Sequence, residues 1–324
     1  MRYNLTAAVI GSGFMGKTHA EVLQNVVKNL IICSNDEENG KALAESTGAT
    51  FYTDYETMLR NEQIDFVSVC LPTHLHHYGV MKAIERNINV LCEKPFASNS
   101  EQTKEMVKAA KENNVLLMVA HPLRFCRYYE YLRKVVKDKR FGKPVSIELY
   151  RHSSKPKWSV GNWLNDSEKS GGVICDLHIH ETDIATSIFG IPQKVYTRVN
   201  GGICHSSFIY ANGEIVNTSS SWQNVEDMFE AGYNAVFENA SIRHTDKTIA
   251  VRKGNETFNP LENEEFSDTF GEDMYENEIR YFCKCLTEKA EPSMCLAEES
   301  SMIMEINETE IQSAMTGQIT EVMV

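Results

Sequence analysis

The stretch Ala7-Ala8-Val9-Ile10-Gly11-Ser12-Gly13-Phe14-Met15-Gly16 decides the fold of this chain. It is a short apolar run that leads directly into the pattern G-x-G-x-x-G, and a helical pattern follows it. Gly11 permits a tight turn, Gly13 lets the backbone approach a phosphate, and Gly16 permits close packing of helix on strand. Because the helix that begins near Phe14 directs free amides and its positive dipole end at an anion, the stretch predicts a dinucleotide-binding site.

The composition indicates a globular protein of two domains. The chain has 324 residues, of which 42% are hydrophobic and 24% charged, and its formal net charge is −13. An acidic surface disfavours nucleic acid and anionic membranes as partners, and no apolar run reaches the roughly 18 residues of a membrane helix. The first strand begins close to the N-terminus, so we expect no signal peptide and a cytoplasmic protein.

The nine cysteines are expected to be reduced and buried. Their number is odd, and Cys33, Cys70 and Cys92 end apolar runs, which is typical of small buried hydrophobes in a reducing compartment. The pair Cys283-x-Cys285 lacks further ligands at a matching spacing, so we predict no metal site.

Up to about residue 120, strand and helix signals alternate. The apolar runs typical of buried parallel strands lie at Ala7–Ile10, Leu30–Cys33, Ala49–Tyr52, Phe66–Cys70, Asn89–Cys92 and Val115–Val119. Ser98-x-x-Glu101 has the spacing of a capping box for one of the helices between them. The alternation predicts a doubly wound Rossmann domain over residues 1–121, with the cofactor across the carboxyl ends of the strands.

From residue 122 to 324 the spacing of the apolar residues changes. Strand-like stretches, several of which alternate apolar with polar residues, lie at Val145–Arg151, Lys194–Asn200, Glu214–Ser221, Tyr233–Glu238 and Thr248–Arg252. Asn200-Gly201-Gly202 and Asn212-Gly213 are turn signals between them, and helical patterns at Met274–Leu286 and Ala297–Met315 close the chain. This predicts an α+β domain with a large, mainly antiparallel open sheet. The uncovered face of such a sheet needs a partner, so we expect a homodimer or homotetramer.

A candidate catalytic lysine follows the fifth predicted strand. In Cys92-Glu93-Lys94-Pro95 the lysine lies at the carboxyl edge of the sheet, where a nicotinamide should fall. An ammonium group there can stabilise a developing alkoxide. Pro95 restricts Lys94 to an extended conformation, which gives its side chain a defined direction. A surface lysine in a strand–helix loop is the simpler alternative.

A second polar cluster lies on a predicted helix that follows Gly171-Gly172. Asp176 and His180 are four residues apart and therefore neighbours on one helix face, where the carboxylate raises the basicity of the imidazole and suits it as a general base. His178 points away from them and is expected to be structural. Two alternatives stay open: His178-x-His180 has the spacing of a metal-dependent hydrolase, and a helix with satisfied polar residues needs no catalytic role.

These motifs, in this order, resemble those of the Gfo/Idh/MocA oxidoreductases, which include glucose–fructose oxidoreductase and inositol 2-dehydrogenase. The matching motifs span residues 1 to about 190 and are Gly11-x-Gly13-x-x-Gly16, Leu71-Pro72-Thr73-x-x-His76, Cys92-Glu93-Lys94-Pro95 and Gly171-Gly172…Asp176-x-x-x-His180. The resemblance implies an N-terminal Rossmann domain and a C-terminal domain whose open sheet forms oligomer contacts. It also implies NAD(P)-dependent oxidation of a hydroxyl on a sugar, cyclitol or related polyol.

The resemblance further implies roles for single residues. By motif position, Lys94, Asp176 and His180 correspond to the family's catalytic group and contact the substrate. Residues in segments that line the substrate pocket in relatives are Arg124, Trp158 and Trp163. The cofactor contacts predicted from the motifs are Gly11, Ser12, Gly13, Phe14, Met15, Gly16, Ser34, Asn35, Leu71, Pro72, Thr73, His76, Glu93 and Lys94.

The choice between NAD and NADP stays open. Many NAD-using relatives have an acidic residue directly after the second strand, where it binds the ribose hydroxyls. Here Ser34 occupies that position and Asn35 follows it; a small polar pair tolerates a 2′-phosphate, which slightly favours NADP. Yet no arginine follows to hold that phosphate, and Asp36 can still reach the ribose.

The resulting hypothesis is reversible hydride transfer between nicotinamide and a secondary alcohol carbon. His180 removes the hydroxyl proton, Lys94 stabilises the alkoxide, and Asp176 orients His180 or binds the neighbouring hydroxyl. The alternative is a non-catalytic sensor that binds the dinucleotide and regulates a partner protein. A sensor has no need of these three residues, so the sequence favours the enzyme.

Overall fold

The computed structural model of the chain describes residues 2–157, 159–223, 228–262 and 270–323. The chain divides into two compact units, each formed by more than one stretch of sequence. The first unit consists of Met1–Pro122, Trp158–Ser170 and Tyr275–Met304. The second consists of Leu123–Lys157, Gly171–Met274 and Glu305–Val324.

Six strands of the first unit form one sheet: β1 (Tyr3–Ile10), β2 (Val27–Cys33), β3 (Thr50–Tyr52), β4 (Phe66–Val69), β5 (Asn89–Glu93) and β6 (Leu117–Ala120). All pairs are parallel, and the strand order is β3-β2-β1-β4-β5-β6. This is the Rossmann order, which reverses between β1 and β4. Every residue of β4 and β6 is buried, as expected for a parallel sheet covered on both faces. The predicted Rossmann fold is confirmed.

The helices that connect and cover the strands are α1 (Phe14–Val26), α2 (Glu37–Thr47), α3 (Tyr55–Asn61), α4 (His76–Ile84), α5 (Ser100–Glu112), α6 (Arg127–Lys137), α7 (Ser167–Ser170), α8 (Ile179–Phe189), α9 (Met274–Glu288) and α10 (Ala297–Thr316). The capping box predicted at Ser98 and Glu101 is wrong. Asn99 caps α5 by accepting a hydrogen bond from the backbone N–H of Gln102. The amide oxygen of asparagine caps a helix as well as a serine hydroxyl does, and here it lies one residue closer to the helix.

The chain returns to the first unit after leaving it. Phe282 of α9 packs edge-on against Phe66 of β4, with the ring centroids 5.1 Å apart. Met118 of the edge strand β6 forms an isolated antiparallel bridge with Leu296, just before α10. Since an unpaired edge strand invites pairing with other chains, this return also protects the sheet.

The second unit contains a nine-stranded sheet ordered β14-β13-β12-β11-β7-β10-β9-β8-β15. Its strands are β7 (Pro144–Ser153), β8 (Lys194–Asn200), β9 (Ile203–Ile209), β10 (Ile215–Ser221), β11 (Phe229–Phe237), β12 (Ser241–Thr245), β13 (Thr248–Lys253), β14 (Glu256–Phe258) and β15 (Thr320–Glu321). Strands β7 and β10 pair in parallel, and the other pairs are antiparallel. The predicted mainly antiparallel sheet is therefore confirmed. The turn signals at Asn200-Gly201-Gly202 and Asn212-Gly213 join β8 to β9 and β9 to β10.

One face of this sheet forms the core of the second unit. Register partners along one buried row from β8 to β13 are Val195, Phe208, Val216, Ile147, Ala235, Ile242 and Val251. Leu132 of α6, Ile184 of α8 and Ile306 of α10 pack against this row. Side chains alternate along a strand, so their neighbours Tyr196, Ile215 and Val236 are exposed on the opposite face.

All nine cysteines have free thiols, and all except Cys126 are buried; Cys33, Cys70 and Cys92 are buried as the sequence predicts. Within the ranges given above, no helix combines the length and the apolar character that crossing a membrane requires.

Candidate active site

The turn between β1 and α1 requires two of its glycines. Gly11 has a φ of 104°, a left-handed conformation, and a Cβ atom on it would lie 2.5 Å from the Cys70 carbonyl oxygen. A Cβ atom on Gly16 would lie 2.0 Å from the Gly11 carbonyl oxygen. Both distances are far below van der Waals contact, so the turn closes against the sheet only with glycine at both positions.

Gly13 differs because the space beside it is open. No atom of the described residues lies within 4 Å of the position that a Cβ of Gly13 would take. Gly13 is also the N-cap residue of α1, and no side chain in the described ranges caps this helix. Uncapped helix amides beside an open space, at the carboxyl edge of a parallel sheet, fit the pyrophosphate of a dinucleotide.

The residues after β2 carry negative charge at the same edge. Ser34 is buried, and its hydroxyl lies 2.8 Å from the Ser12 hydroxyl and accepts a hydrogen bond from the Asp36 N–H. The Asp36 carboxylate caps α2 by accepting bonds from the side chain and backbone of Asn39, and these bonds lower the pKa of Asp36. Asp36 is therefore ionised at neutral pH.

His76 links the loop after β4 to the loop after β5. Its Nε2 lies 2.7 Å from the Leu71 carbonyl oxygen and its Nδ1 lies 2.7 Å from the Pro95 carbonyl oxygen. The ring is buried, as is Thr73 beside it, whereas Leu71 and Pro72 are half-buried. His76 therefore holds the backbone of both loops, and a direct contact with the cofactor stays a prediction.

Glu93, the last residue of β5, forms a buried pair with His19 of α1. Glu93 Oε1 accepts a hydrogen bond from His19 Nε2 at 2.9 Å, and Glu93 Oε2 accepts one from the Lys94 N–H at 3.1 Å. The other ring nitrogen of His19 lies 2.7 Å from the Ser68 hydroxyl. Sequence analysis proposed Glu93 as a cofactor contact and missed His19; the only signal was a histidine in the apolar stripe of a helix.

The surroundings of this pair favour its charged form. Burial alone lowers the pKa of His19, but the interactions with Cys70 and Glu93 outweigh burial and raise that pKa well above its ordinary value. Burial alone raises the pKa of Glu93, but the hydrogen bond and charge of His19, with the charge of Lys94, outweigh it and lower that pKa. Both shifts in pKa favour an imidazolium and a carboxylate inside the first unit.

Lys94 lies where the order of motifs predicts. It directly follows β5 and is half-buried, and its peptide bond to Pro95 is cis. Strands β1, β4 and β5 are neighbours and parallel, so the Gly13 turn and Lys94 share one edge of one sheet.

Trp163 lies near this edge as well. It belongs to the part of the 158–170 segment that the structure describes, and its ring packs edge-on against His74, with the centroids 6.4 Å apart. His74 belongs to the loop after β4. A substrate contact by Trp163 stays a prediction, and Trp158 lies outside the described residues.

The second unit carries Asp176 and His180 on an irregular helix. The predicted α-helix is wrong for Ile174–His178, which form a π-helical turn before α8 begins at Ile179. The spacing of apolar residues fits both kinds of helix, so the sequence could not separate them. From Val173 to Ile179 every residue except Asp176 is buried, and His180 is again half-buried. Turns of this kind occur often at functional sites.

His178 is structural, as the sequence predicts. Its Nδ1 lies 2.8 Å from the Ser220 hydroxyl, and its Nε2 lies 3.0 Å from the Thr218 hydroxyl and 3.3 Å from Glu310 Oε1. Both ring nitrogens are thus used inside the protein, which removes support for a metal pair with His180. In the residues that the structure describes, no group of three or more His, Cys, Asp or Glu could hold a metal ion.

Two buried ion pairs anchor α8 below these residues. Arg124 Nη2 lies 2.7 Å from Asp183 Oδ1, and Arg151 Nε lies 3.1 Å from Glu181 Oε1. The contact that the structure shows for Arg124 is therefore with Asp183, and its predicted contact with substrate stays a prediction.

Two family models match the chain. Residues 5–121 match the model described as an oxidoreductase family with an NAD-binding Rossmann fold, GFO_IDH_MocA. Residues 129–243 match the model of the GFO/IDH/MocA C-terminal domain. The first match covers the six-stranded sheet from residue 5 onward, and the second covers β7 to β11 and the start of β12 in the nine-stranded sheet.

Among curated proteins, the 2,7-anhydro-N-acetylneuraminate hydratase of Mediterraneibacter gnavus is 30% identical over 252 residues, which is 76% of this chain and 64% of that protein. The D-glucoside 3-dehydrogenase of Escherichia coli is 31% identical over 194 residues, 58% of this chain and 55% of that protein. The match thus spans between half and two thirds of the length of these relatives.

Among solved structures, levoglucosan dehydrogenase in complex with NADH and levoglucosan has a TM-score of 0.88 at 18% identity, covering 99% of this chain and 100% of that one. At that identity the likeness shows the fold.

Proposed function

The chain belongs to the Gfo/Idh/MocA family of oxidoreductases, and from this premise we propose that it is an NAD-dependent dehydrogenase or reductase acting on a secondary hydroxyl of a sugar or polyol. One observation carries the proposal: the anion-binding turn at Gly13 and the cation of Lys94 lie at one edge of the same parallel sheet. Ligands of open α/β sheets bind at this edge, near the point where the strand order reverses.

We propose that Lys94, Asp176 and His180 act on one substrate hydroxyl. His180 takes the hydroxyl proton while the carbon–hydrogen bond breaks, and Asp176 stabilises the imidazolium that forms. Lys94 donates a hydrogen bond to the reacting oxygen and stabilises its negative charge. NAD, held at the Gly13 turn, would supply the acceptor for the hydride and its two electrons. The substrate leaves as a ketone, and its proton stays on His180.

We propose NAD as the cofactor in preference to NADP. The residues that would hold the adenosine ribose are Ser12, Ser34 and Asp36, and the carboxylates of Glu37 and Glu38 follow directly. No lysine or arginine lies between positions 34 and 40. A 2′-phosphate would therefore lie beside several carboxylates, and the next lysine along the chain, Lys41, is already paired with Glu37, which disfavours NADP. These carboxylates outweigh the slight preference for NADP that the small polar pair Ser34 and Asn35 suggests.

We propose a cyclic sugar that cannot open as the substrate class. The names of the two curated relatives denote an anhydro sugar and a glucoside, in both of which the second oxygen on the anomeric carbon is bonded to another carbon, so that the ring cannot open. Such a substrate offers ring hydroxyls and no free aldehyde.

The test is a substrate panel with purified protein. Glucosides, anhydro sugars, inositols and free reducing sugars are each mixed with NAD or NADP, and formation of the reduced cofactor is followed by absorbance. The same mixtures are analysed by mass spectrometry for gain of water, since one relative is named as a hydratase. Turnover of a ring-closed sugar supports the proposal. Binding of NADH without turnover of any compound would favour the non-catalytic sensor.

We further propose that the open face of the nine-stranded sheet joins copies of the chain in a dimer or tetramer. Tyr196, Ile215 and Val236 are exposed on that face. Apolar side chains on an uncovered sheet face are typical of interfaces. Light scattering of the wild type and of Ile215→Glu tests this, with a smaller particle expected for the variant.

A further inference from the structure

The His19–Glu93 pair occupies a place where apolar side chains would normally lie. The residues of α1 that face the sheet are Gly16, His19, Ala20, Leu23 and Val26. His19 is fully excluded from solvent, and the Glu93 side chain is only 5% exposed. Burying two charges is costly, and well-packed apolar residues often replace such pairs without loss of stability. A role other than stability is therefore worth seeking for this pair.

The pair connects the two parts of the proposed cofactor site. His19 lies on α1, the helix whose N-terminus begins the anion-binding turn. Glu93 ends β5, and its second carboxylate oxygen accepts the N–H of Lys94 itself at 3.1 Å. The side chain of Glu93 thus joins α1 to the backbone of the lysine.

The backbone after Lys94 is fixed in position as well. The carbonyl oxygen of Pro95 lies 2.7 Å from Nδ1 of the buried His76, whose Nε2 contacts the Leu71 carbonyl. The Lys94 backbone therefore lies between two hydrogen-bonded anchors, Glu93 before it and His76 after it. The anchor at Glu93 is the charged one.

We propose that His19 and Glu93 are positioning residues that fix Lys94 relative to the phosphate-binding helix, so that its ammonium group is in place when the cofactor binds. The proposal rests on the function proposed above, because it needs Lys94 to act on the substrate. A displacement of about 1 Å in a reacting group can cost roughly 100-fold in rate. Loosening this anchor should therefore lower turnover more than cofactor affinity.

The variants are Glu93→Gln, His19→Gln and the double variant, with Thr103→Val as the control. The two amides of the double variant can hydrogen-bond to each other without an unpaired buried charge, which protects the fold. Thr103 is buried in the same unit, in the first turn of α5, and its hydroxyl lies 2.7 Å from the Ser301 hydroxyl. Its variant loses a buried hydrogen bond but none of the contacts described above for His19, Glu93 and His76.

The first readout needs no turnover. In cofactor-free protein, the rate at which acetic anhydride acetylates Lys94 is measured against pH by mass spectrometry, with the exposed Lys108 as internal reference. We expect the pH dependence of the Lys94 acetylation rate to change in Glu93→Gln and in His19→Gln. In the double variant it should return towards that of the wild type, and in Thr103→Val it should stay unchanged. An unchanged Lys94 profile in both single variants overturns the proposal.

The second readout is kinetic. With a substrate from the panel, kcat should fall about 10- to 100-fold in the single variants while the Kd for NADH, from fluorescence titration, changes little. An equal loss in kcat and NADH affinity, or a similar loss in Thr103→Val, would overturn the positioning role. If the wild type turns over no substrate but the acetylation profile changes as expected, the positioning of Lys94 stands and the proposed reaction fails.

Discussion

His178 and Glu310 form an ion pair in the core of the second unit: His178 Nε2 lies 3.3 Å from Glu310 Oε1, and both side chains are fully excluded from solvent. Glu310 Oε2 accepts further hydrogen bonds from Thr182 at 2.9 Å and Asn307 at 2.8 Å. The pair therefore ties the π-helical turn and α8, which carry Asp176 and His180, to α10. His178 and Glu310 lie far apart in sequence, yet their contact fixes the position of the segment that carries His180, the proposed base.

Glu310→Ala should strongly destabilise the protein, because it leaves the buried His178 charge without its partner. Breaking a buried ion pair in this way costs about 3–5 kcal/mol. The free energy of unfolding is measured by urea denaturation followed by circular dichroism. Glu321→Ala, which removes the exposed partner of Lys194, is the control and should unfold as the wild type does. Similar losses in both variants would contradict this assignment.

The stability of the protein should fall as the pH rises above neutrality. Burial alone lowers the pKa of His178, but Cys204 and Glu310 outweigh burial and raise it well above its ordinary value of 6.5. A group with a raised folded-state pKa stabilises the fold fully below its unfolded pKa and loses that contribution as the pH rises through the folded pKa. Above the unfolded pKa, the contribution of His178 to the free energy of unfolding should fall by about 1.4 kcal/mol per pH unit. Urea titrations from neutral to alkaline pH should show a shallower slope in His178→Gln than in the wild type; equal slopes would argue against a charged His178.

Lys94→Met should remove turnover and leave cofactor binding nearly intact. The thioether keeps most of the side-chain volume but cannot donate to a developing alkoxide. Loss of a group that stabilises transition-state charge costs about 100- to 1,000-fold in kcat. NADH titration and steady-state kinetics on the same preparation check both halves of this expectation. Near-wild-type turnover would refute the role of Lys94.

Alanine at Gly13 and at Gly16 should have opposite effects. The Cβ of Gly13→Ala enters open space, so folding is unaffected while NADH affinity falls, because the methyl group occupies room that a phosphate needs. The Cβ of Gly16→Ala would lie 2.0 Å from the Gly11 carbonyl oxygen, so the turn must open and the melting temperature falls. Thermal unfolding and NADH titration of both variants separate the two cases. Tight NADH binding by Gly13→Ala would show that the phosphates lie elsewhere.

Asn35→Arg should improve NADP binding. Asn35 is exposed and directly precedes the Asp36 cap of α2, so an arginine there adds a cation without removing the cap. A charge-assisted hydrogen bond to a 2′-phosphate contributes about 1.5–3 kcal/mol, or roughly 10- to 100-fold in affinity. Kd values for NADPH and NADH are compared in wild type and variant. A wild type that already prefers NADPH would contradict the cofactor proposed here.

Local sequence patterns predict the framework of the first unit because its signals are short-range. Ala7–Ile10 is an apolar run directly followed by the glycine turn, and the structure has β1 ending at Ile10. Lys94 is found after β5 for the same reason. Strand ends are less certain: β6 is predicted at Val115–Val119 and observed at Leu117–Ala120.

Contacts between distant residues are not encoded in such patterns. His19 and Glu93 are 74 residues apart, and a histidine in an apolar stripe does not reveal its partner. Likewise, the helical spacing around Asp176 fits an α-helix, and only the structure shows the π-helical turn. Both features depend on packing against other elements, which overrides local preference.

The nucleotide-binding unit becomes complete only late in protein synthesis. Phe66 of β4 acquires its ring contact from Phe282, and Met118 of β6 gains its bridge from Leu296, after most of the chain has left the ribosome. A nascent fragment that ends after Pro122 would expose an aromatic patch and an unpaired strand. Such a fragment would be prone to aggregation, so a premature stop beyond the first sheet should yield insoluble protein rather than a free nucleotide-binding module.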